Sequence, residues 1–128
     1  MSYNLIEVQE YIQHKSLEER MQKSSQMMND NQGKIPAILL KAKSCTYKLP
    51  VQKLSIDGSM TMGSLLFALR KYMWLTPSQG LYVYINDTLP MLNSRLSDLY
   101  ERYKEEDGFL YLLCAHQEDK GFYNTEIF

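Results

Sequence analysis

The chain has 128 residues, 45% of them hydrophobic and 23% charged, with a formal net charge of -1. That size and balance predict one soluble globular domain with a core of its own and argue against nonspecific nucleic-acid binding, so no nucleic-acid partner is expected. No apolar run approaches the roughly 20 residues needed to span a bilayer, and the N-terminal MSYNLIEVQE lacks the basic-then-apolar order of a secretory leader.

In chain order, Leu5, Val8 and Ile12 give a short first helix one apolar stripe. Ser16 and Glu19 then form a capping box for a second helix, whose Leu17, Met21 and Met28 share a face and which stops near Gly33. The run Ile35–Leu40 is short, apolar and proline-bearing, which favours a strand. A second strand is expected from Lys48 to Ile56, where Leu54 and Ile56 alternate with Lys53 and Ser55. Asp57-Gly58 is a turn where strand gives way to helix. Thr61 caps a helix from Met62 to about Met73 with a broad apolar face. Leu81–Ile85 reads as a strand with Asn86-Asp87 as its turn, and a possible short strand follows. Leu96, Leu99, Tyr100 and Tyr103 mark a short helix, and Phe109–Cys114 is the last strand. This order predicts an α+β fold, a helix laid across one face of a mixed sheet.

Catalysis needs a nucleophile, a base and a group that orients the base. Only His14 and His116 are present, neither in a recognisable motif, and Glu105-Glu106-Asp107 reads as a solvated turn. Cys45 and Cys114 lack paired spacing and are expected as free thiols in a reducing compartment, Cys114 as a core residue. No phosphate-binding glycine loop and no metal-ligand spacing occurs, so no catalytic residue, metal or cofactor is expected. The second strand is more informative. Its lysines and alternate apolar residues suggest an open edge, to which an extended peptide can add by main-chain hydrogen bonds.

Lys34-Ile35-Pro36, Met60-Thr61-Met62-Gly63, Leu69-Arg70-Lys71, Tyr84–Pro90, Leu99-Tyr100 and Glu106–Tyr111 occur in order and at fitting spacing. Together they resemble the GABARAP-type autophagy modifiers, ubiquitin-like proteins conjugated to phosphatidylethanolamine, over about Leu17 to Gly121. The resemblance implies a ubiquitin-like β-grasp fold with two additional N-terminal helices. It divides the chain into a helical extension (1–33) packed on the domain, the β-grasp domain (34–115), and a flexible tail (116–128). It implies docking of aromatic-x-x-aliphatic motifs from cargo receptors and adaptors. The aromatic pocket would be lined by Met27, Pro36, Ile38, Lys53 and Phe109. Leu54, Ile56, Met60, Leu65 and Ala68 would line the aliphatic pocket, with Arg70 near the peptide's acidic flank. Ser55, Asp57 and Lys23 replace a large aliphatic residue, a proline and an acid of the family pattern, which should weaken or redirect binding.

The resemblance also implies that a cysteine protease cuts after Gly121, removing Phe122–Phe128. E1-like and E2-like enzymes would then pass the Gly121 carboxylate to the lipid amine. A glycine, lacking Cβ, threads narrow enzyme channels most freely. Lys120 stands where the family has an aromatic residue. The implied location is cytoplasmic, with a lipidated pool on autophagosomal membranes. The alternative is a non-lipidated adaptor of the same fold, binding peptides or trafficking or cytoskeletal partners without conjugation.

Overall fold

The computed structural model describes residues 6–49 and 52–116. Helix α1 spans Ile6–Ile12 and α2 spans Leu17–Asp30. Four strands follow, β1 (Lys34–Lys41), β2 (Gln52–Asp57), β3 (Tyr82–Tyr84) and β4 (Leu110–Ala115), with α3 (Met62–Tyr72) after β2 and α4 (Leu96–Tyr103) before β4. The sheet order is β2-β1-β4-β3. β1 lies antiparallel to β2 and parallel to β4, and β3 is antiparallel to β4. β2 and β3 are therefore the edges.

The expected start signals operate. Ser16 Oγ accepts from Glu19 N at 3.1 Å, while the Glu19 carboxylate accepts from Ser16 N at 3.0 Å. Thr61 Oγ1 accepts from Ser64 N at 3.2 Å and opens α3. Asp57 Oδ1 accepts from both the amide and the hydroxyl of Ser59, which closes the turn after β2 and holds the Asp57 carboxyl below the usual carboxylate range. Asn86 takes the left-handed backbone of its turn at φ 62.

β1 is buried at every position from Ile35 to Leu40 because helices cover both sheet faces. Ile35, Ala37 and Leu39 join the cluster that contains α3 and α4 residues such as Leu65, Leu69 and Leu96. Ile38 and Leu40 join the other, with Val8, Phe109 and Tyr111, against which Tyr11, Ile12 and Met27 also pack. Cys114 belongs to the first cluster and Cys45 to the second, both as free thiols.

Several expectations need correction. Met21 and Met28 of the anticipated α2 stripe are exposed and Leu17 is half-buried. The inward line is Arg20, Ser24 and Met27 instead. Polar partners, not apolar periodicity, set this rotation: Ser24 Oγ donates to Asp107 O at 2.6 Å, and Arg20 Nε lies 3.4 Å from Asp107 Oδ2. Asp107 is thus no solvated turn residue but 2% exposed. β2 begins at Gln52, so Lys48 lies outside it. The stretch after Asn86 forms only an Ile85–Thr88 bridge, not a strand. Leu5, Lys120, Gly121 and Phe122–Phe128 lie outside the described residues.

Candidate functional site

β2 is six residues long and an edge, and its register with β1 decides which side chains share each face. Ile38 pairs with Lys53 and Pro36 with Ser55, while Ala37 pairs with Leu54 and Ile35 with Ile56. Paired residues point to the same face. Lys53 and Ser55 therefore lie on the α2 side, beside Ile38 and Pro36, and Leu54 and Ile56 lie on the α3 side. The β2 residues expected to line the two pockets thus point to opposite faces of one edge strand.

On the α2 side a groove of about 870 Å³ runs between the N-terminal helices and β2, lined by Arg20, Lys23, Lys53 and Phe109 among others. Met27 packs on the cluster holding Ile38 and Phe109. Pro36 and Ile38 are fully buried and, like Met27, do not line the groove; of the residues expected at the aromatic pocket only Lys53 and Phe109 do. Four cations, Lys15, Arg20, Lys23 and Lys53, line the groove with Glu19 and Asp30, and Arg20 is also paired with Asp107 behind it. Tyr11, His14 and Lys15 went unforeseen, because which face α1 and α2 present is a tertiary fact. Lys23, which stands where the family pattern has an acid, also lines the groove.

Asp107 holds the groove's inner wall. Its Oδ1 accepts from Phe109 N at 2.9 Å and its Oδ2 from Tyr111 OH at 2.6 Å. Burial, then the bond to Asp107, push the Tyr111 hydroxyl well above the usual tyrosine range. Arg20 Nη1 is buried without a hydrogen-bond partner, close behind this network.

On the α3 side, Leu54, Ile56, Met60 and Leu65 belong to or pack on one cluster, with Ile56 and Leu65 buried and Leu54 and Met60 half-buried. Ala68 is exposed on α3. Gln52 Nε2 donates to Tyr72 OH at 2.6 Å, tying the start of β2 to the end of α3. Arg70 stands elsewhere, which corrects its expected place at the acidic flank. Its guanidinium donates to the carbonyls of Thr76 and Gln79, both at 2.8 Å, and so secures the loop after α3. Residues two apart on a helix face nearly opposite ways, so Tyr72, not Arg70, is turned to β2.

Cys114 is the better buried of the two thiols, and desolvation pushes it up from 9.0 to about 12. Nothing near it deprotonates it. Among the described residues no group of His, Cys, Asp and Glu could hold a metal ion, and no helix is long and apolar enough to cross a membrane.

A mixed four-stranded sheet wrapped on α3, preceded by two added helices, defines a ubiquitin-like protein with a groove at its β2 edge. A family model described as "Autophagy protein Atg8 ubiquitin like" matches residues 19–121. The chain belongs to this Atg8 family. It is 34% identical over 107 residues to Autophagy-related protein 8h of Arabidopsis thaliana, covering 83% of this chain and 90% of the relative. It is 31% identical over 106 residues to Autophagy-related protein 8 of Candida glabrata, covering 82% and 90%. The crystal structure of Trypanosoma brucei ATG8 superposes with a TM-score of 0.76 at 27% identity, covering 82% of this chain and 91% of that one.

Proposed function

We propose that this protein is a non-catalytic autophagy modifier that docks acidic aromatic-x-x-aliphatic peptides of cargo receptors along β2. The carrying observation is the register of β2, which sends Lys53 and Ser55 to one face and Leu54 and Ile56 to the other. In an extended peptide, residues three apart also point to opposite faces, so an aromatic anchor and an aliphatic anchor at that spacing would enter the two sides of one edge. The cations around the α2-side groove suit an acidic flank. Isotope-labelled protein titrated with such a peptide should shift the amide signals of Lys53–Ile56, and Lys53→Glu should weaken binding. Shifts confined to α1 and absent from β2 would overturn the docking mode.

Membership of the family supports the second half of the reading. After a cysteine protease removes Phe122–Phe128, E1-like and E2-like enzymes join Gly121 to phosphatidylethanolamine on autophagosomal membranes, leaving a cytoplasmic pool unconjugated. Comparing membrane and cytosolic fractions of cells carrying wild type and Gly121→Ala tests this: the variant should stay in the cytosol with its tail attached. Lys120 is the observation that favours a non-lipidated adaptor, since a hydrated ammonium suits a ring-accepting protease pocket poorly. Identical fractionation of both proteins, each keeping the tail, would decide for the adaptor.

A further inference from the structure

On the flank of α3 turned away from β2, Phe67, Lys71, Trp74, Leu75 and Pro77 line an open cleft of about 640 Å³ with Arg70. Phe67 is 64% exposed and Trp74 89%. One turn before Phe67, Gly63 N donates to Leu92 O at 2.9 Å, which places exposed Leu92 and its neighbour Met91 at the start of the same flank. An apolar strip thus runs the length of the helix on its outer side.

Trp74 sits in a backbone state that its side chain makes costly. Trp74 N donates to Lys71 O at 3.2 Å and Leu75 N to Arg70 O at 3.1 Å, the paired bonds of a Schellman turn. Trp74 itself, with φ 58, occupies the position after the cap where glycine is usual. An indole in the left-handed region is disfavoured, and burial offsets none of that cost here because the ring faces water. The fold gains nothing from tryptophan at this position. An external contact would.

The surrounding charge says of what kind. Lys71 Nζ lies 5.2 Å from the centre of the Phe67 ring. From Gly58 to Asn86 the chain contains no aspartate or glutamate. Exposed aromatic rings beside long-stemmed cations, with no carboxylate in their own segment, match the interface of an anionic bilayer, where rings sit at headgroup depth and lysines reach lipid phosphates. The strip also shares an end of the molecule with the exit of the chain. Arg70 holds the Thr76–Gln79 loop, and at the next residue a Cβ on Gly80 would come within 3.4 Å of His116 O. From His116 the stretch to Gly121 reaches at most about 18 Å.

We propose that the Phe67–Lys71–Trp74 flank of α3 is an anchor for anionic lipid surfaces, which seats the protein on the bilayer while leaving the β2 edge open. Its setting in the cell rests on the attachment at Gly121 proposed above. Chemical tethering separates the two. The full chain carrying Gly121→Cys is coupled through that thiol to maleimide-bearing phosphatidylethanolamine in phosphatidylcholine–phosphatidylserine vesicles, with Cys45 and Cys114 shielded by burial. Trp74, the single tryptophan, reports directly. Its emission should move to the blue and be quenched by brominated lipid, and Lys71→Glu or Phe67→Ser should abolish both changes while preserving peptide docking. Unchanged emission from the tethered protein would overturn the proposal. So would a blue shift that grows with protein concentration without vesicles, since the strip would then be a contact between copies of the chain. No conjugating enzyme takes part, so failure of lipid attachment in cells leaves this result intact.

Discussion

A Cβ at Gly108 would meet Ser24 Oγ at 2.6 Å, and the glycine's φ of +89 lies in the left-handed region. The α2 helix touches the Asp107–Gly108 turn this closely because Ser24 donates to Asp107 O. Gly108→Ala should therefore cost about 2 kcal/mol in denaturant unfolding, combining backbone strain with the clash. Adding Ser24→Ala removes the clash with Oγ but also the bond to Asp107 O, so the double variant should be no more stable than Gly108→Ala alone. The opposite sign is expected at Trp74: Trp74→Gly relieves a left-handed indole and should raise stability by about 1 kcal/mol, read from the same unfolding curves. Neither position announces itself in the chain. Asp107 stands in an ordinary acidic run, and its burial follows from Arg20, Ser24 and Tyr111 meeting it in space.

Helix α2 and strand β2 mark the limits of reading elements from pattern. The capping box placed the start of α2 correctly because that signal is local, held within four residues. Its buried face was misread because Arg20 and Ser24, both polar, turn inward toward partners on a distant turn. β2 was legible as an edge through its alternation, while its start was set too early because Lys48 precedes the apolar Leu49 and the ladder with β1 begins only at Gln52. The division of Lys53 from Leu54 across two faces needed only period two; the groove beside Lys53 needed α1 and α2 in place. Ser55 shares the face of buried Pro36 and is half-buried, so a larger apolar side chain there would widen the wall of the α2-side groove. Ser55→Leu should tighten an aromatic-x-x-aliphatic peptide by about tenfold, for roughly 1.4 kcal/mol of added apolar contact, measured by calorimetric titration.

For the molecule as a whole, its buried acids set an alkaline limit. Cys114 is pushed from 9.0 to about 12 by burial, and Tyr111 and Tyr100 are raised from 10.0, again chiefly by burial. In each case the folded state keeps its proton to higher pH than the unfolded chain. The stabilisation is therefore complete below the unfolded values and lost as pH rises from them through the folded values, for Cys114 by about 1.4 kcal/mol per pH unit between 9.0 and about 12. Denaturant midpoints should begin to fall near pH 9, and Cys114→Ala should remove the decline between 9 and 10. The α+β order was legible because each helix and strand carries a local signal (a cap, an apolar stripe, an alternation or a short apolar run), whereas the central place of β4 beside β1 is a long-range fact. That pairing has a kinetic consequence. The β1–β2 hairpin can close early, but β4 must return across the span of α3, β3 and α4, which makes the parallel contact slow to form. Phe109, just ahead of β4, brings the inner wall of the groove only with that step. A docked peptide should then slow unfolding and leave the refolding rate unchanged, as stopped-flow traces would record. On the docking proposed above, a nascent chain still assembling its sheet would have no groove to offer a peptide, and only finished molecules would be recruited.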